Sequence, residues 1–504
     1  MSTFHGLEMA KQALFAQQAA LYTTGHNISN ANTKGYTRQR VNFETMPPYP
    51  AASRNRPEIP GQMGTGVQVG SVQRMRTKFL DYQFRSENSR QSYWSTKADA
   101  LSRMETLLNE PSKSGLSKTI DEFWNALQDL AVNPDNSGAR SVVAHRGLAV
   151  TEAFNHLSKS LSSNRADLRS QIDTTVGDTN SLLRQIASLN EQISELEPHG
   201  YLPNDLYDRR DNLIDELSSK LNIKVTYSKS SETSPNIADG IATIELVNDD
   251  GESFQPSIIL VDDEQVNELA VTYGNDDYSA VNSVTVNGTE ADILSSNGTL
   301  KGLIESYGHD FDGDGNVIGT YTDMLRDLDK MANTIVEEFN KVHRSGKALD
   351  GTDGIDFFVF KNGMTGAAGI TVNQEIMDNR DKIAASTNET DGEGANAKAL
   401  AEVFNNRNLD GNPLGNNTSI KSFFQSIIGE MGVKAQEANN RMENTAVLRS
   451  QVEEKRMSVS SVSLDEEMTN MIKFQHAYNA AARSMTTIDE MLDRIINNMG
   501  LVGR

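Results

Sequence analysis

Apolar residues at both ends of the chain recur in alternating steps of three and four. At the front the series runs Phe4, Leu7, Lys11, Leu14, Gln18, Leu21, Gly25, Ile28. At the back it runs Leu464, Met468, Met471, Gln475, Tyr478, Ala482, Met485 and, after one stutter, Ile488, Leu492, Ile495, Met499. This spacing is a heptad seam and predicts two helices that pack on other helices. The candidate seam residues are Leu7, Leu14, Leu21 and Ile28 in front, and Met468, Met471, Tyr478, Met485, Leu492 and Ile495 behind. Polar residues interrupt both seams, so neither helix has the apolar face to fold alone. The expectation is of ends that order only when copies assemble.

Between these ends the pattern changes twice. The first helix is predicted to stop near Asn30, where Asn-Ala-Asn-Thr-Lys-Gly (30–35) gathers turn formers and Gly35 can turn left-handed. Tyr36 to Phe43 then alternates as a strand. Five prolines between 47 and 60 predict an extended connector, and Gly61–Val72 reads as turn plus strand. From about 76 to 221 the helical period dominates, broken at Glu110-Pro111, Asn133-Pro134 and Pro198–Pro203. Residues 137–197 carry no proline, and a helix of that length spans about 90 Å. Period-two runs then appear at 223–227, 241–247, 257–261, 269–273 and 284–286. Helical character returns at 300–345, 396–407 and 417–460, with a Gly-rich mixed stretch around 346–395.

The expected fold is mainly α with a β insertion. It is an elongated multidomain rod whose discontinuous helical layers draw on both chain halves and whose terminal helices form coiled coils. The expected parts are residues 1–60 with 456–504, a long-helix part of 61–227 with 301–455, and an acidic β-rich insert over 228–300.

Composition narrows the role. The net charge of −22 on 504 residues argues against nucleic acid and anionic membrane surfaces as partners. Residues 231–300 hold 14 Asp or Glu and no Lys or Arg. Packed edge to edge, such segments repel, so the expectation is an outward-facing domain that tolerates change. No cysteine is present, which removes disulfides and thiolate chemistry. Neither a basic-then-apolar leader nor a run of 18 apolar residues occurs.

Chemistry-bearing patterns are sparse. Asp310, Asp312, Asp314 and Gly315 fit the first half of an EF-hand loop, but position twelve is Tyr321 instead of the bidentate Glu, leaving an acidic turn before a helix as the reading. Asp350–Asp356 looks similar with less support. The eight His are scattered, and no phosphate loop or nucleophile elbow is found. No cofactor, metal or catalytic residue is assigned. Arg74, Arg76 and Lys78 read as a solvated or salt-bridged helix start.

The string from His26 to Thr37, His-Asn-Ile-Ser-Asn-Ala-Asn-Thr-Lys-Gly-Tyr-Thr, resembles the N-terminal motif of bacterial flagellar axial proteins: rod, hook and hook-associated proteins. Leu464–Met485 is similar to their C-terminal motif. The stretch Asn204–Leu217, with Asp356-Phe-Phe, Ile383–Ser386 and Asn396–Leu400, resembles the hook-associated protein 1 family in particular. The likeness is weakest over 228–300. It implies a structural subunit between hook and filament, extracellular, exported uncleaved through the flagellar type III apparatus and held beforehand by a cytoplasmic chaperone. The implied partners are copies of itself, hook protein and a second junction protein, hook-associated protein 3. Another axial protein of hook or distal rod is the near alternative, and a Ca²⁺-binding or enzymatic module on such ends the distant one. From spacing alone the turn motif Asn27, Asn30, Ala31, Asn32, Thr33, Gly35 and Tyr36 is a helix C-cap. The resemblance implies that it also sets the strand and Tyr36 against a neighbouring subunit.

Overall fold

The computed structural model describes all residues except 1–3, 51–53, 55–60, 109–114, 275–278, 312, 314, 362, 389–392, 410, 412 and 499–504. Two layers organise it. The terminal layer joins α1 (His5–Ser29), the antiparallel pair β1 (Gln39–Thr45) and β2 (Val67–Arg74), and α12 (Leu464–Asn498). The body holds everything between. The chain passes from layer to body at 75–77 and returns at 461–463, so both ends of the sequence build one layer, as their matching patterns predict. Residue 60, the boundary expected from the prolines, lies outside the described residues.

The body begins with α2 (Lys78–Leu108), α3 (Leu116–Val132), the 60-residue α4 (Ser137–Leu196) and α5 (Asn204–Lys220). Breaks sit where proline and glycine put them. The Asn136 side chain accepts from the amides of Gly138 and Ala139 and caps α4. Gly200, at φ 84°, turns the chain after it. The insert follows as two antiparallel sheets. One runs β3 (Ile223–Ser228), β4 (Ile241–Val247), β5 (Ser253–Asp262), β6 (Gln265–Val266); the other β7 (Leu269–Tyr273), β8 (Val281–Val286), β9 (Thr289–Glu290).

The insert is tied to the long helix. Asn190 of α4 donates to the carbonyls of Ala242 and Asp263, both at 2.9 Å, and Asn180 exchanges two hydrogen bonds with the Leu269 backbone. Leu246, Leu260 and Val284 share one continuous core with Leu183 and Ile186 of α4. Removing the insert would uncover that face of α4. Its charges lie outside, on Glu232, Asp250, Glu252, Asp263 and Glu264.

Beyond it come α6 (Thr299–Tyr307), α7 (Thr320–Ser345), β10 (Phe358–Phe360), α8 (Gly366–Gly369), β11 (Ile370–Val372), α9 (Gln374–Asp378), α10 (Ala395–Glu402) and α11 (Ile420–Ser460). The helix expected through 300–345 is broken between Tyr307 and Thr320, where Gly308 takes φ 124°. The strand expected from Tyr36 starts only at Gln39, because Thr37 and Arg38 direct their amides to Asp208 and to the Ser460 carbonyl.

The distal body is centred on aromatic rings. Phe123 lies 5.6–5.9 Å from Phe339, Phe357, Phe358 and Phe404, all with 1 % exposure or less. The three short interior motifs converge around it. His343 is buried beside this cluster, its Nδ1 facing the Ile355 carbonyl and its Nε2 accepting from the Ala384 amide at 3.0 Å. Asn396 donates to the Ala384 carbonyl at 2.7 Å. Arg140, also buried, donates to the carbonyls of Pro134 and Ile383 at 2.7 and 2.6 Å. Sequence reading singled out none of Phe123, Arg140, Phe339 or His343.

Candidate assembly interface

The terminal layer rests on small side chains. Ala10, Ala16, Ala20, Thr24 and Asn27 are the buried positions of α1, and α12 is its main helical neighbour. The approach is close: a Cβ on Gly6 would stand 3.1 Å from Ile488 Cδ1. Leu7, Leu14, Leu21 and Ile28 lie on the shoulder of this alanine face, half-buried. The sequence pattern favoured leucine because it is large, whereas contact between backbones favours alanine. On α12, Leu492 is buried and Met471, Tyr478 and Met485 are half-buried, joined by Phe474, whose ring meets Phe43 of β1 edge-on at 6.1 Å. Met468 and Ile495 point outward, 57 % and 41 % exposed. The helices are thus ordered on each other within a single chain, where order only on assembly was expected.

One polar clasp locks the pair. The Asn27 amide uses its full hydrogen-bonding capacity. Its Nδ2 donates to the Gln39 carbonyl at 2.8 Å and to Glu467 Oε2 at 3.2 Å; its Oδ1 accepts from Tyr36 Oη at 2.8 Å and the Gln39 amide at 3.0 Å. Arg38 closes the other side, with Nε on Glu467 Oε1 at 2.8 Å and Nη1 on Glu466 at 2.6 Å. Burial, then the carboxylates Asp208, Asp205 and Glu467, push the Tyr36 phenol well above its ordinary range, so it stays a donor. Asn27 is therefore more than a C-cap.

The remaining motif residues build the turn. Asn30 Nδ2 donates to the His26 carbonyl at 3.0 Å, Thr33 Oγ1 to Asn30 Oδ1 at 3.2 Å, and the Tyr36 amide to the Thr33 carbonyl at 3.2 Å. Ala31 is half-buried and Asn32 exposed. Gly35 adopts φ 78° against α5, where a Cβ would fall 1.9 Å from Asn212 Oδ1. Arg74 and Arg76 are salt-bridged and half-buried, while Lys78 is exposed and pairs with Asp239 at 3.5 Å. Asp310 accepts from the Gly313 and Gly315 amides at 3.0 and 3.1 Å, which makes it a turn former; Asp312 and Asp314 lie outside the described residues.

The outer faces of both helices carry exposed apolar residues. Phe4, Phe15 and Tyr22 line α1 opposite its alanine face with 58 %, 55 % and 71 % exposure. Leu464, Met468 and Ile472 do the same at the start of α12 and Met491, Ile495 and Ile496 at its end. Exposed apolar stripes of this kind mark contact surfaces. Among the described residues no helix is long and apolar enough to cross a membrane, and no cluster of three or more metal-ligating side chains occurs.

Comparison with known proteins agrees at all three levels. Residues 101–358 match the flagellar hook-associated protein FlgK helical domain, residues 7–37 the flagella basal body rod protein family, and residues 453–499 the flagellar basal body rod FlgEFG protein C-terminal family. The chain is 48 % identical to flagellar hook-associated protein 1 of Bacillus subtilis over the full length of both. It is 25 % identical to that of Escherichia coli, covering 97 % of this chain and 98 % of the relative. The fold is similar to that of the flagellar hook junction protein FlgK from Burkholderia pseudomallei, with a TM-score of 0.56 and 14 % identity over 75 % of this chain and all of that one. The chain belongs to the flagellar hook-associated protein 1 family.

Proposed function

We propose that this protein is a structural subunit of the bacterial flagellum that joins hook to filament. It assembles through the α1–α12 layer, with copies of itself beside it, hook protein below and hook-associated protein 3 above. The observation that carries this reading is the pairing of the two chain ends into one layer that keeps apolar stripes on its outer faces, at Phe15 and Tyr22 on one helix and Met468 and Ile472 on the other. A compact body with its own core does not need such stripes; an array of copies does. The role is structural and not enzymatic.

The same reading divides the chain into the terminal layer, the long-helix body and the acidic insert, which faces outward where solvent and salt screen its charge. The protein leaves the cell unfolded and uncleaved through the flagellar type III apparatus, and a cytoplasmic chaperone covers the α12 stripe beforehand. The test is electron microscopy of cells lacking the protein. Hooks without filaments, restored by the intact gene, support the reading; normal filaments on the deletion strain refute it.

A further inference from the structure

The segment Asn204–Leu217 carries a family pattern, yet it lies outside the terminal helices and their stripes. Its acidic residues Asp208, Asp211 and Asp215 share one face of α5, and that face borders the terminal layer. Asp208 accepts from the Thr37 amide at 2.9 Å and from Arg74 at 2.7 Å. Asp211 meets Arg74 at 3.0 Å, Arg85 at 3.2 Å and Arg76 at 3.4 Å. Asp215 meets Arg85 at 2.8 Å and is ion-paired with Arg456. The arginines come from β2, the crossing after it, α2 and α11, so both passages of the chain between layer and body end on this ladder. Around it, Asn204 donates to the Val72 carbonyl at 3.0 Å, and Asn212 fills the space left by Gly35.

The continuous core extends from Ala98 to Ala438 and includes no residue of α1, β1, β2 or α12. Among the described residues that core therefore does not join layer to body, whereas the hydrogen bonds and ion pairs of Thr37 and Arg74 do. Burial opposes the charge on Asp211, yet Arg76, Arg74 and Arg85 hold its carboxyl far below the ordinary range.

We infer that Asp208 and Asp211 are positioning residues that fix the orientation of the terminal layer on the body through Thr37 and Arg74, with Asp215 holding Arg85 and Arg456 of the body beside them. The inference concerns the single chain and goes beyond the role at the junction. The protein has no cysteine, so Ser29→Cys on α1 and Ser188→Cys on α4, both exposed, carry the only two spin labels. Pulsed electron resonance then reads the distance between layer and body in the full-length monomer. The otherwise unaltered protein gives one narrow distribution. Asp208→Asn at least doubles its width with the melting of the body unchanged, and Asp208→Glu restores most of the narrowness. Should Asp208→Asn fail to fold, Arg74→Gln, which takes the β2 partner from both Asp208 and Asp211, gives the same broadening. Distributions as narrow as the parent's in the folded variants overturn the inference.

Discussion

Asn27 and Glu467 stand 440 residues apart in the chain and meet in a buried hydrogen bond of 3.2 Å. Asn27 closes the last turn of α1 and Glu467 opens α12, so this contact fixes the register of the two ends. It also requires an amide. A carboxylate at 27 would give up both donors and face Glu467 with like charge.

Asn27→Asp is expected to cost the terminal layer roughly 2 kcal/mol or more, the penalty for stranding buried polar groups. Hydrogen exchange should rise across residues 5–29 and 464–490, while amides of α4 keep their protection. Uniform protection in both layers would show that the clasp is incidental.

Phe15 and Tyr22 on the outward stripe of α1 are both exposed. Changing Phe15 and Tyr22 together to Ser should leave the circular dichroism and melting of the monomer within about 0.5 kcal/mol of the parent, as surface substitutions do. Motility in soft agar should fall sharply, because the rings lose their burial against a neighbouring copy. Full motility with normal secretion would place the subunit contact elsewhere.

His343 tests the distal body. Burial holds its imidazole down at about 4, from an ordinary 6.5, so it is neutral in the fold. The unfolded chain binds a proton between these values and the folded chain does not. Stability is therefore complete above about pH 6.5 and is lost as pH falls toward 4, by about 3 kcal/mol for this group. Urea unfolding at pH 7 and pH 4.5 should show that drop in the parent and a smaller one in His343→Gln, whose amide can both donate and accept. Equal drops would mean that other groups dominate.

Phe123 anchors the ring cluster, and Phe123→Ala should destabilise the body by about 3–5 kcal/mol. Exchange protection within α1 and α12 should change little, because the core that holds Phe123 does not extend into the terminal layer. Loss of protection in both would show that layer and body unfold as one unit.

The elements were legible in the sequence because proline, glycine and period carry local information. The ends of α4 at Ser137 and Leu196 follow from Pro134 and Pro198, and β4 follows from its alternation. The packed face of α1 was not legible, because Ala10, Ala16 and Ala20 look neutral beside Leu7, Leu14 and Leu21. Their value lies in how near they let α12 come, which only the partner reveals. The clasp and the α5 ladder were hidden for a related reason. Arg38 and Glu467 look like solvated charges, and Arg74 like a solvated or salt-bridged helix start, until residues more than a hundred positions away are brought beside them. Asn27 and Gly35 were found through their turn chemistry and resemblance, though the clasp role of Asn27 appears only in three dimensions.

The central claim is that the paired chain ends are the element by which copies assemble between hook and filament. Leu492, 8 % exposed in the α12 seam, is the position to change, since Leu492→Asp sets an unpaired charge against packed helices without touching the body. Electron micrographs of cells carrying this variant in place of the parent measure the claim directly. The account predicts hooks without filaments and secreted variant protein whose body melts as the parent's does. Filaments in normal number on those hooks would contradict it.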